Sequence, residues 1–460
     1  MLTLTNSEIK HFEISGARKH FWAFCVYYDE EFFRKKRRFL KPVALAFQEV
    51  VEQYKQGNAI TVAVSMPPRA GKSYITSLFA AYWLGQFPEL SVMRNSCTST
   101  LYQKFSYDTR NIIRNQKYQE VFPEIQLAPD KQNLDGWNLT TSKQVAYFGA
   151  GVGGTIIGFG ANLAITDDLY KSMQDALSTT TNSGVKLWKE SAHDSRKEKN
   201  CPEIYIGTRW TKDDIIGDAI DNGYINKSIS IPALIEGKSF CEDVKSTEEY
   251  LQISERIDKS TWNAEYMQNP LSLDGLLLPK ESMKFEKMQD IEPIYSFAVG
   301  DPADTGGDKF SMPFIHVFEI DGRIVFHVKD VIHSTKGIEA NTERVLDKLH
   351  KWRCSDLFYE SNGVGLAAVL LIKNRMNAGQ KIHAFNSTIN KEVRIFSHFE
   401  FVQKFFVFDA DFESNPEYKA FISDVANYQK DGDNKNRKDA IDVLCSAANI
   451  LKIKFKNLLY

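Results

Sequence analysis

The sequence predicts an α/β protein with two domains, each built on a β-sheet that helices cover. One observation is length, since 460 residues are more than a single ordinary core accommodates. A second is the alternation of short apolar strands with helices in the first half, which is typical of a mostly parallel, three-layer sheet. A third is the dipeptide Asp321-Gly322 between two apolar runs in the second half, because this dipeptide strongly favours a β-hairpin.

The composition indicates a globular protein of a reducing, cytosolic compartment. Hydrophobic residues make up 43% of the chain and charged residues 25%, no apolar run reaches the length of a membrane span, and the N-terminus lacks the features of a signal peptide. The six cysteines are scattered without a C-x-x-C pair, so neither a zinc site nor a disulfide framework is indicated. The formal net charge of −2 gives no bulk signal for nucleic-acid binding, and a basic cluster such as Arg34–Arg38 could equally be a solvated face.

The segment 61–84 has the pattern of a strand, a tight loop and a helix, and the loop ends in Gly71-Lys72-Ser73. In this context the N–H groups of the loop and of the helix N-terminus bind a phosphate. Lys72 would reach the β- and γ-phosphates of ATP, and Ser73 would ligate Mg²⁺. Pro67 stands where the usual G-x-x-x-x-G-K-S/T loop has its first glycine, so a chance Gly-Lys-Ser at a helix start is the alternative. The loop residues predicted to bind ATP are Pro68, Arg69, Ala70, Gly71, Lys72 and Ser73.

A later apolar strand ends in the acidic pair Asp167-Asp168. Beside a phosphate-binding loop, the first acid would hold the hydrated Mg²⁺ that Ser73 also contacts, and the second would orient or deprotonate the attacking water. Many ATPases of this kind have Glu at the second position, so Asp168 reaches less far than the usual base. The alternative is that the pair is only a turn or a helix cap.

A polar segment after another strand is predicted at the same edge of the sheet. The strand Glu203–Gly207 ends in Thr208 and Arg209, and polar residues that follow a strand beside the nucleotide strand face the ligand-binding edge. We predict that Thr208 and Arg209 contact ATP and sense its γ-phosphate. The run Gly149–Gly160 has too many glycines for a regular element. It is either a flexible loop or backbone that closely approaches a ligand or a neighbouring subunit.

Acids also follow the strands of the second half, which begins as an RNase H/RuvC-like nuclease fold would, with three antiparallel strands. Asp301 ends the first strand, Glu360 ends a later one, and Asp439 and Asp442 lie three apart on one face of a helix. Together such acids would hold two divalent ions about 3.5–4 Å apart, one to activate water and one to stabilise the leaving 3′ oxygen of a phosphodiester. Any one of these acids could instead be a turn former or a cap. We predict Asp301, Glu360 and Asp439 as the principal ligands, with Asp442 assisting.

Taken together, these motifs resemble the large terminase subunit of tailed bacteriophages, the motor that packages DNA into a preformed capsid. The resemblance extends over most of the chain. Its motifs are Pro67–Ser73, the glycine-rich run before Ile165–Asp168, Ile206–Trp210 with Asp213-Asp214, and Trp262–Pro270. The family tolerates proline in place of the first loop glycine, and its nucleases carry acids at the places of Asp301, Glu360 and the Asp439/Asp442 pair, although the resemblance does not decide between the last two. Asp308 matches an accessory metal-binding acid of some relatives.

The resemblance implies an ATPase and a two-metal-ion endodeoxyribonuclease in one chain. Its cofactors would be ATP with Mg²⁺ in the first site and two Mg²⁺ or Mn²⁺ ions in the second. The implied partners are double-stranded DNA, the portal protein, the small terminase subunit and further copies of this chain in a ring, a pentamer by family resemblance. The expected location is the host cytoplasm, docked on a procapsid, with no membrane and not in the mature virion.

Two positions depart from the family pattern. Phe159 stands where relatives often have an arginine that stabilises transition-state charge, so Arg69 is the predicted substitute, although it could instead hold the loop through a salt bridge. Relatives frequently show His-Asp-Asp before the last helix, whereas this chain has Arg437-Lys438-Asp439. Lys438 could therefore contact phosphate or alter metal affinity.

The predicted organisation is an N-terminal helical lead-in over 1–57, a P-loop ATPase domain over 58–275, a linker over 276–292 and an RNase H-like nuclease domain over 293–460. The predicted function is ATP-driven translocation of duplex DNA into a procapsid, with metal-dependent cleavage of concatemeric DNA. One alternative is another nucleic-acid ATPase, such as a helicase, with a nuclease appendage. The other is a non-catalytic docking subunit.

Overall fold

The computed structural model divides the chain into two compact units, Met1–Ser272 and Leu273–Tyr460. It describes residues 5–156, 158–257, 259–270, 277–288, 291–301, 309–362, 365–387, 390–429 and 438–455. Across those ranges, no helix is both long and apolar enough to cross a membrane. Each unit contains a sheet that helices cover, so the α/β prediction is confirmed.

The first unit is built on an eight-stranded sheet and a separate two-stranded one. Its strands are β1 (Thr61–Ser65), β2 (Val92–Ser96), β3 (Leu127–Asn133), β4 (Gly136–Leu139), β5 (Tyr147–Phe148), β6 (Leu163–Asp167), β7 (Glu203–Gly207), β8 (Lys227–Ser230), β9 (Leu234–Ile235) and β10 (Lys238–Ser239). The large sheet has the order β3-β4-β5-β2-β6-β7-β1-β8. All neighbours from β5 to β8 in this order are parallel, and β4 is antiparallel to β3 and β5. The predicted, mostly parallel sheet is confirmed.

The helices of the first unit lie before, between and after these strands. They are α1 (Asn6–Lys19), α2 (Phe21–Tyr28), α3 (Lys41–Lys55), α4 (Lys72–Gln86), α5 (Ser99–Arg114), α6 (Gln116–Val121), α7 (Met173–Leu177), α8 (Thr179–Trp188), α9 (Ile215–Asp221), α10 (Thr247–Arg256) and α11 (Lys259–Thr261). Helix α4 is apolar on nearly every side and almost wholly buried. The lead-in helices pack on it through aromatic side chains, as when Phe21 and Phe47 contact Phe79. Burial of this kind stabilises the helix that follows the predicted phosphate loop.

The second unit is built on a seven-stranded sheet. Its strands are β11 (Phe285–Glu286), β12 (Tyr295–Gly300), β13 (Phe310–Ile320), β14 (Arg323–Ser334), β15 (Asp356–Glu360), β16 (Lys381–Phe385) and β17 (Phe406–Asp409), and its helices are α12 (Ile338–Lys351), α13 (Gly365–Lys373), α14 (Lys391–Phe405), α15 (Pro416–Ala426) and α16 (Lys438–Lys454). The sheet order is β11-β17-β14-β13-β12-β15-β16. Strands β12 to β14 are antiparallel, whereas β15 and β16 continue parallel to β12. This arrangement has the strand order of an RNase H/RuvC-like core.

Two local features of this sheet bear on the sequence patterns. Asp321 and Gly322 form the β13–β14 turn with φ of 51° and 73°, the left-handed conformation that a two-residue hairpin turn requires. The segment 276–292, predicted as a linker, contributes β11 to the sheet. Phe285 of β11 stacks on Phe412 at 4.8 Å between ring centroids, so burial of an aromatic side chain recruits the end of that segment into the second unit.

Candidate nucleotide and metal sites

The sheet of the first unit brings the predicted nucleotide-binding residues to one edge. Strand β1 pairs in parallel with β7, placing Ser65 opposite Gly207, and β7 pairs in parallel with β6, placing Ile206 opposite Asp167. The three strands therefore end at the same level. The loop after β1, the acids at the end of β6 and the residues after β7 meet at this edge, where parallel sheets bind ligands.

Gly71 makes the loop geometry possible. It has φ of 102° and is the N-cap residue of α4, a conformation that glycine adopts at no steric cost. A Cβ atom at this position would lie 2.9 Å from Cζ of Phe32, so a side chain would also displace the lead-in segment. The neighbouring Arg69 has φ of 67° and an exposed side chain. It makes no hydrogen bond or ion pair with any residue that the structure describes, so the alternative loop salt bridge is not seen there.

Lys72 lies between the loop after β1 and the residues that follow β6 and β7. Its Nζ donates hydrogen bonds to Oγ1 of Thr208 at 2.9 Å and to the carbonyl oxygen of Met66 at 3.4 Å. The same atom is 3.6 Å from Oδ1 of Asp168. A nearly buried ammonium group is thus held by weak neutral partners and one acid. This is an arrangement that a phosphate could replace with stronger, charge-assisted hydrogen bonds.

Asp167 is fully buried, and its two carboxylate oxygens have different surroundings. Oδ2 accepts a hydrogen bond from Nε of Arg94 at 3.0 Å and another from Nη2 of Arg94. Oδ1 has no hydrogen-bond partner among the residues that the structure describes. Burial raises the pKa of Asp167, and the charge of Arg94 opposes that effect. A buried, unpartnered carboxylate oxygen beside the hydroxyl-bearing turn of Ser73 fits an Mg²⁺ ion, which prefers oxygen ligands.

Asp168 and Arg209 have local partners. Asp168 has φ of 49°, and its Oδ1 accepts a hydrogen bond from the backbone N–H of Thr208 at 3.2 Å. The guanidinium group of Arg209 instead binds both oxygens of Asp214 through Nε at 3.2 Å, and Asp214 caps α9. Thr208 and Asp168 are therefore brought to Lys72, whereas the side chain of Arg209 supports the following loop.

Arg94 and Glu265 are two charged residues of this site that the sequence patterns did not indicate. Arg94 is fully buried in β2, next to β6. Glu265 is half-buried in the π-helical segment Trp262–Tyr266, where burial raises its pKa and the charge of Lys72 opposes that effect. The sequence signal for Arg94 is a single arginine inside an otherwise uncharged strand, which has no use there unless a buried acid pairs with it.

The structure describes four of the five acids of the second unit that were predicted as metal ligands. Asp301 and Glu360 directly follow Gly300 and Tyr359, which pair in the parallel strands β12 and β15. Asp439 and Asp442 lie in the first turns of α16. All four are at most 6% exposed. Asp308 and Arg437 lie outside the described residues, and the Nζ of Lys438 pairs with Glu392 at 3.1 Å.

Two cations of α14 lie among these acids. The Nζ of Lys391 is 2.9 Å from Oδ2 of Asp301 and 3.1 Å from Oδ1 of Asp439. Burial disfavours the charged form of Lys391, but the carboxylates outweigh burial and raise its pKa. The oxygens of these acids do not gather as three within 4.8 Å of one another within the described ranges, because the cations of α14 lie between them.

Arg394 distinguishes Asp442 from Asp439. Its Nε and Nη2 bind the two oxygens of Asp442 at 2.6 and 2.5 Å, and Nη2 is also 3.4 Å from Oε2 of Glu360. Asp442 is therefore neutralised by a bidentate pair. From the described residues, the carboxylate of Asp439 accepts one hydrogen bond from Lys391 and one from the backbone N–H of Lys309 at 3.0 Å. This geometry favours Asp439 over Asp442 as a metal ligand.

At the candidate metal site of the second unit, the four buried acids outnumber the two cations of α14 that pair with them. Burial raises the pKa of Asp301 to about 7, an effect that Lys391 opposes and that Asp442 and Glu360 increase. Burial also raises the pKa of Glu360, against the charge of Arg394. Buried carboxylates whose pKa is raised, as in Asp301 and Glu360, form a donor set that fits a divalent cation, because a cation favours their ionised forms.

A third acidic cluster lies in the first unit. His193, Asp194 and Glu203 offer ligand atoms within 4.8 Å of one another. Two lysines already bind these acids, since Lys189 is 2.9 Å from Asp194 and Lys197 is 2.8 Å from Glu203. The cluster is therefore a buried ion-pair network that needs no metal for its charge balance.

No family model and no curated protein matches the sequence, but solved structures of phage large terminases match the structure over most of the chain. The large terminase of a thermophilic bacteriophage has 9% sequence identity and a TM-score of 0.43, covering 86% of this chain and 94% of that one. The large terminase of bacteriophage HK97 has 9% identity and a TM-score of 0.36, with 88% and 94% covered. The nuclease domain of the large terminase subunit gp2 of bacterial virus Sf6 has 11% identity and a TM-score of 0.27, with 34% and 89% covered.

Proposed function

We propose that this chain is a viral DNA-packaging motor that hydrolyses ATP in its first unit and cuts DNA in its second. The observation that carries the proposal is the clustering, within each unit, of side chains suited to phosphate chemistry. In the first unit, Lys72 lies 3.6 Å from Asp168 beside the buried Asp167. In the second, Asp301 and Asp439 share the ammonium group of Lys391.

In the ATPase site, the loop N–H groups and Lys72 would bind the triphosphate. Lys72 would exchange Thr208 and Asp168 for phosphate oxygens, which frees Asp168 to orient the attacking water or accept its proton. Ser73 and Asp167 would hold Mg²⁺, which neutralises charge on the β- and γ-phosphates when bound. The exposed Arg69 is the candidate to stabilise transition-state charge. Release of the γ-phosphate would return Lys72 to Thr208, at the end of β7.

In the nuclease site, Asp301, Glu360 and Asp439 would hold Mg²⁺ or Mn²⁺. The bound ions supply an activated water and stabilisation of the leaving oxygen. Lys391 would have to leave Asp301 and Asp439 as the ions bind, and its ammonium group could then bind the scissile phosphate. Arg394 would stay on Asp442 and keep Glu360 in place.

The finer assignment, movement of duplex DNA through a ring into a procapsid, draws its support from the collinear sequence motifs. Under this assignment the partners are double-stranded DNA, the portal protein, the small terminase subunit and further copies of this chain. The protein would act in the host cytoplasm on a docked procapsid. Cleavage of concatemeric DNA would begin and end each packaging event.

The test combines a plasmid-cleavage assay in Mg²⁺ or Mn²⁺ with an ATPase assay, on wild type and Glu360→Ala. We expect metal-dependent cleavage and ATP hydrolysis by wild type, and loss of cleavage alone in the variant. Cleavage that persists in Glu360→Ala contradicts the assigned metal site. Strand displacement of a duplex would favour a helicase, and absence of ATP hydrolysis even with DNA present would favour a docking subunit.

A further inference from the structure

Arg94 is a fully buried arginine in the centre of the ATPase sheet. It lies in β2, whose neighbour β6 carries Asp167 at its end, and Asp167 pairs in register with Ser96 of β2. Both side chains of the Arg94–Asp167 ion pair are 0% exposed. A guanidinium group in such surroundings is strongly destabilising unless an acid and hydrogen-bond acceptors compensate it. Its position therefore has to be explained by its partners.

The partners of Arg94 come from both elements that carry the predicted Mg²⁺ ligands. Nε is 3.0 Å from Oδ2 of Asp167, which ends β6. Nη1 donates to Oγ of Ser77 at 2.8 Å, and Nη2 donates to the carbonyl oxygen of Ser73 at 3.3 Å. Ser73 and Ser77 are in the first turns of α4. One planar group thus fixes the distance between the end of β6 and the start of α4.

The contacts of Arg94 also leave one particular oxygen of Asp167 unused. Both of its hydrogen bonds to this residue go to Oδ2, whereas Oδ1 is buried and finds no hydrogen-bond partner in the described part of the chain. The ring of Phe105 packs on the guanidinium group, with Cζ 3.8 Å from the ring centroid, and restricts it to this orientation. A buried acceptor without a partner is unfavourable in the free protein, and it is suited to receive a cation.

We propose that Arg94 is a positioning residue of the ATPase site, which holds Asp167 by Oδ2 so that Oδ1 remains available to Mg²⁺ and which ties this acid to the turn of Ser73. The proposal rests on the proposed ATP-binding function. Arg94 contacts neither nucleotide nor water in this role. It acts through Asp167, and its effect belongs to the metal-dependent part of nucleotide binding.

The experiment measures binding of a fluorescent ATP analogue to the full chain, first in EDTA and then during titration with Mg²⁺. In Arg94→Gln and Arg94→Lys, we expect affinity in EDTA within about twofold of wild type, because the loop and Lys72 are intact. The Mg²⁺ concentration at half-effect should rise by about 10–100-fold, as is typical when a residue that orients a metal ligand is removed. Arg94→Lys should be the milder change, because lysine keeps the charge but not the bidentate geometry.

Two further variants separate this role from packing. Arg34→Gln alters an exposed arginine that pairs with Glu30 at 3.0 Å and should leave the Mg²⁺ midpoint close to that of wild type. In an Asp167→Asn background, Arg94→Lys should change the Mg²⁺ midpoint little further, because two residues that act through one carboxylate are not additive.

The outcomes are distinct. An unchanged Mg²⁺ midpoint in both Arg94 variants overturns this inference alone. Equal losses of affinity with and without Mg²⁺ in Arg94→Lys also overturn it, because they show a merely structural role. Absence of ATP binding by wild type in both conditions overturns the proposed function, and this inference with it.

Discussion

At the scale of single residues, two buried arginines differ in how many carboxylate oxygens of their aspartate partners they bind. Arg394 binds both oxygens of Asp442, whereas Arg94 binds Oδ2 of Asp167 and leaves Oδ1 without a partner within the described ranges. An acid with both oxygens occupied is a structural anchor, and an acid with one oxygen unused can still ligate a metal. This difference separates Asp442 from Asp167, although both are fully buried aspartates.

The pH dependence of cleavage tests Asp301. Its pKa in the folded chain is about 7, so protons compete with metal below that pH. We expect plasmid nicking by wild type in Mn²⁺ to rise as the pH increases through about 7. A flat rate across this range would show that Asp301 is not a titrating ligand.

The raised pKa of Asp301 also affects the stability of the metal-free protein. A pKa raised above the unfolded value of about 3.9 means that the folded chain binds more protons, so metal-free stability decreases as the pH rises between the two values. Asp301→Asn should therefore unfold at a higher temperature than wild type at alkaline pH in EDTA. Asp347→Asn changes an exposed acid of α12 and serves as the control, with no expected gain.

At the scale of elements, a buried ion-pair network holds strand β7, whose end carries Thr208. Glu203 starts β7 and binds Lys197 at 2.8 Å and Lys189 at 3.1 Å. His193 is 3.2 Å from the same carboxylate. The lysines and the histidine belong to the segment 189–197, so the network ties this segment to the beginning of the strand.

Replacing Glu203 with Gln should destabilise the first unit. The change leaves Lys189 and Lys197 with Asp194 but without their buried acid, and breaking a buried pair costs about 3 kcal/mol. Burial raises the pKa of Glu203, but His193 and the lysines outweigh burial and lower it. The stabilisation is therefore present above the unfolded pKa and is lost as the pH falls below it.

Thermal unfolding of wild type and Glu203→Gln at neutral and acidic pH measures this effect. We expect a large difference at neutral pH that narrows under acidic conditions. Glu52→Gln, which alters an exposed pair with Lys55 at 3.6 Å, should change stability by no more than about 0.5 kcal/mol. Equal stability of Glu203→Gln and wild type at neutral pH would show that the network is energetically neutral.

At the scale of the whole molecule, each candidate site consists of residues from one compact unit. The two activities should therefore be lost separately. Lys72→Ala removes the ammonium group for the phosphates and should lower ATP hydrolysis at least about 100-fold, with Mn²⁺-dependent nicking unchanged. Asp301→Ala should do the reverse. Lys104→Ala, which alters an exposed pair with Asp108, is the control, and loss of both activities in either site variant would contradict separate sites.

DNA binding by the whole chain should be dominated by phosphate contacts. The formal net charge is −2, and Glu30 and Glu31 pair with Arg34 and Lys35 at 3.0 Å, so part of that basic cluster is already neutralised. If the chain contacts several phosphates, its affinity for DNA should fall by about 10³-fold or more between about 50 and 200 mM salt, because each contact releases counterions. Binding of two unrelated duplexes across a salt titration measures this, and strong preference for one of them would indicate base recognition instead.

The local features of the fold follow from short stretches of the amino-acid sequence. The loop ending in Gly71-Lys72-Ser73, the acids that follow buried strands and the Asp321-Gly322 hairpin all depend on short-range periodicity and turn chemistry. These are properties of neighbouring residues, so they can be read along the chain. The fold class and the candidate acids could be predicted for that reason.

The pairing of buried charges, in contrast, depends on how distant elements pack. Arg94 and Asp167 are joined across two strands of one sheet, and Lys391 and Arg394 reach their acids from α14. Aromatic packing between distant residues also places β11, which lies in the segment predicted as a linker, in the sheet of the second unit. The physical reason is that the electrostatic balance of a buried group depends on the elements packed around it, which are distant in sequence.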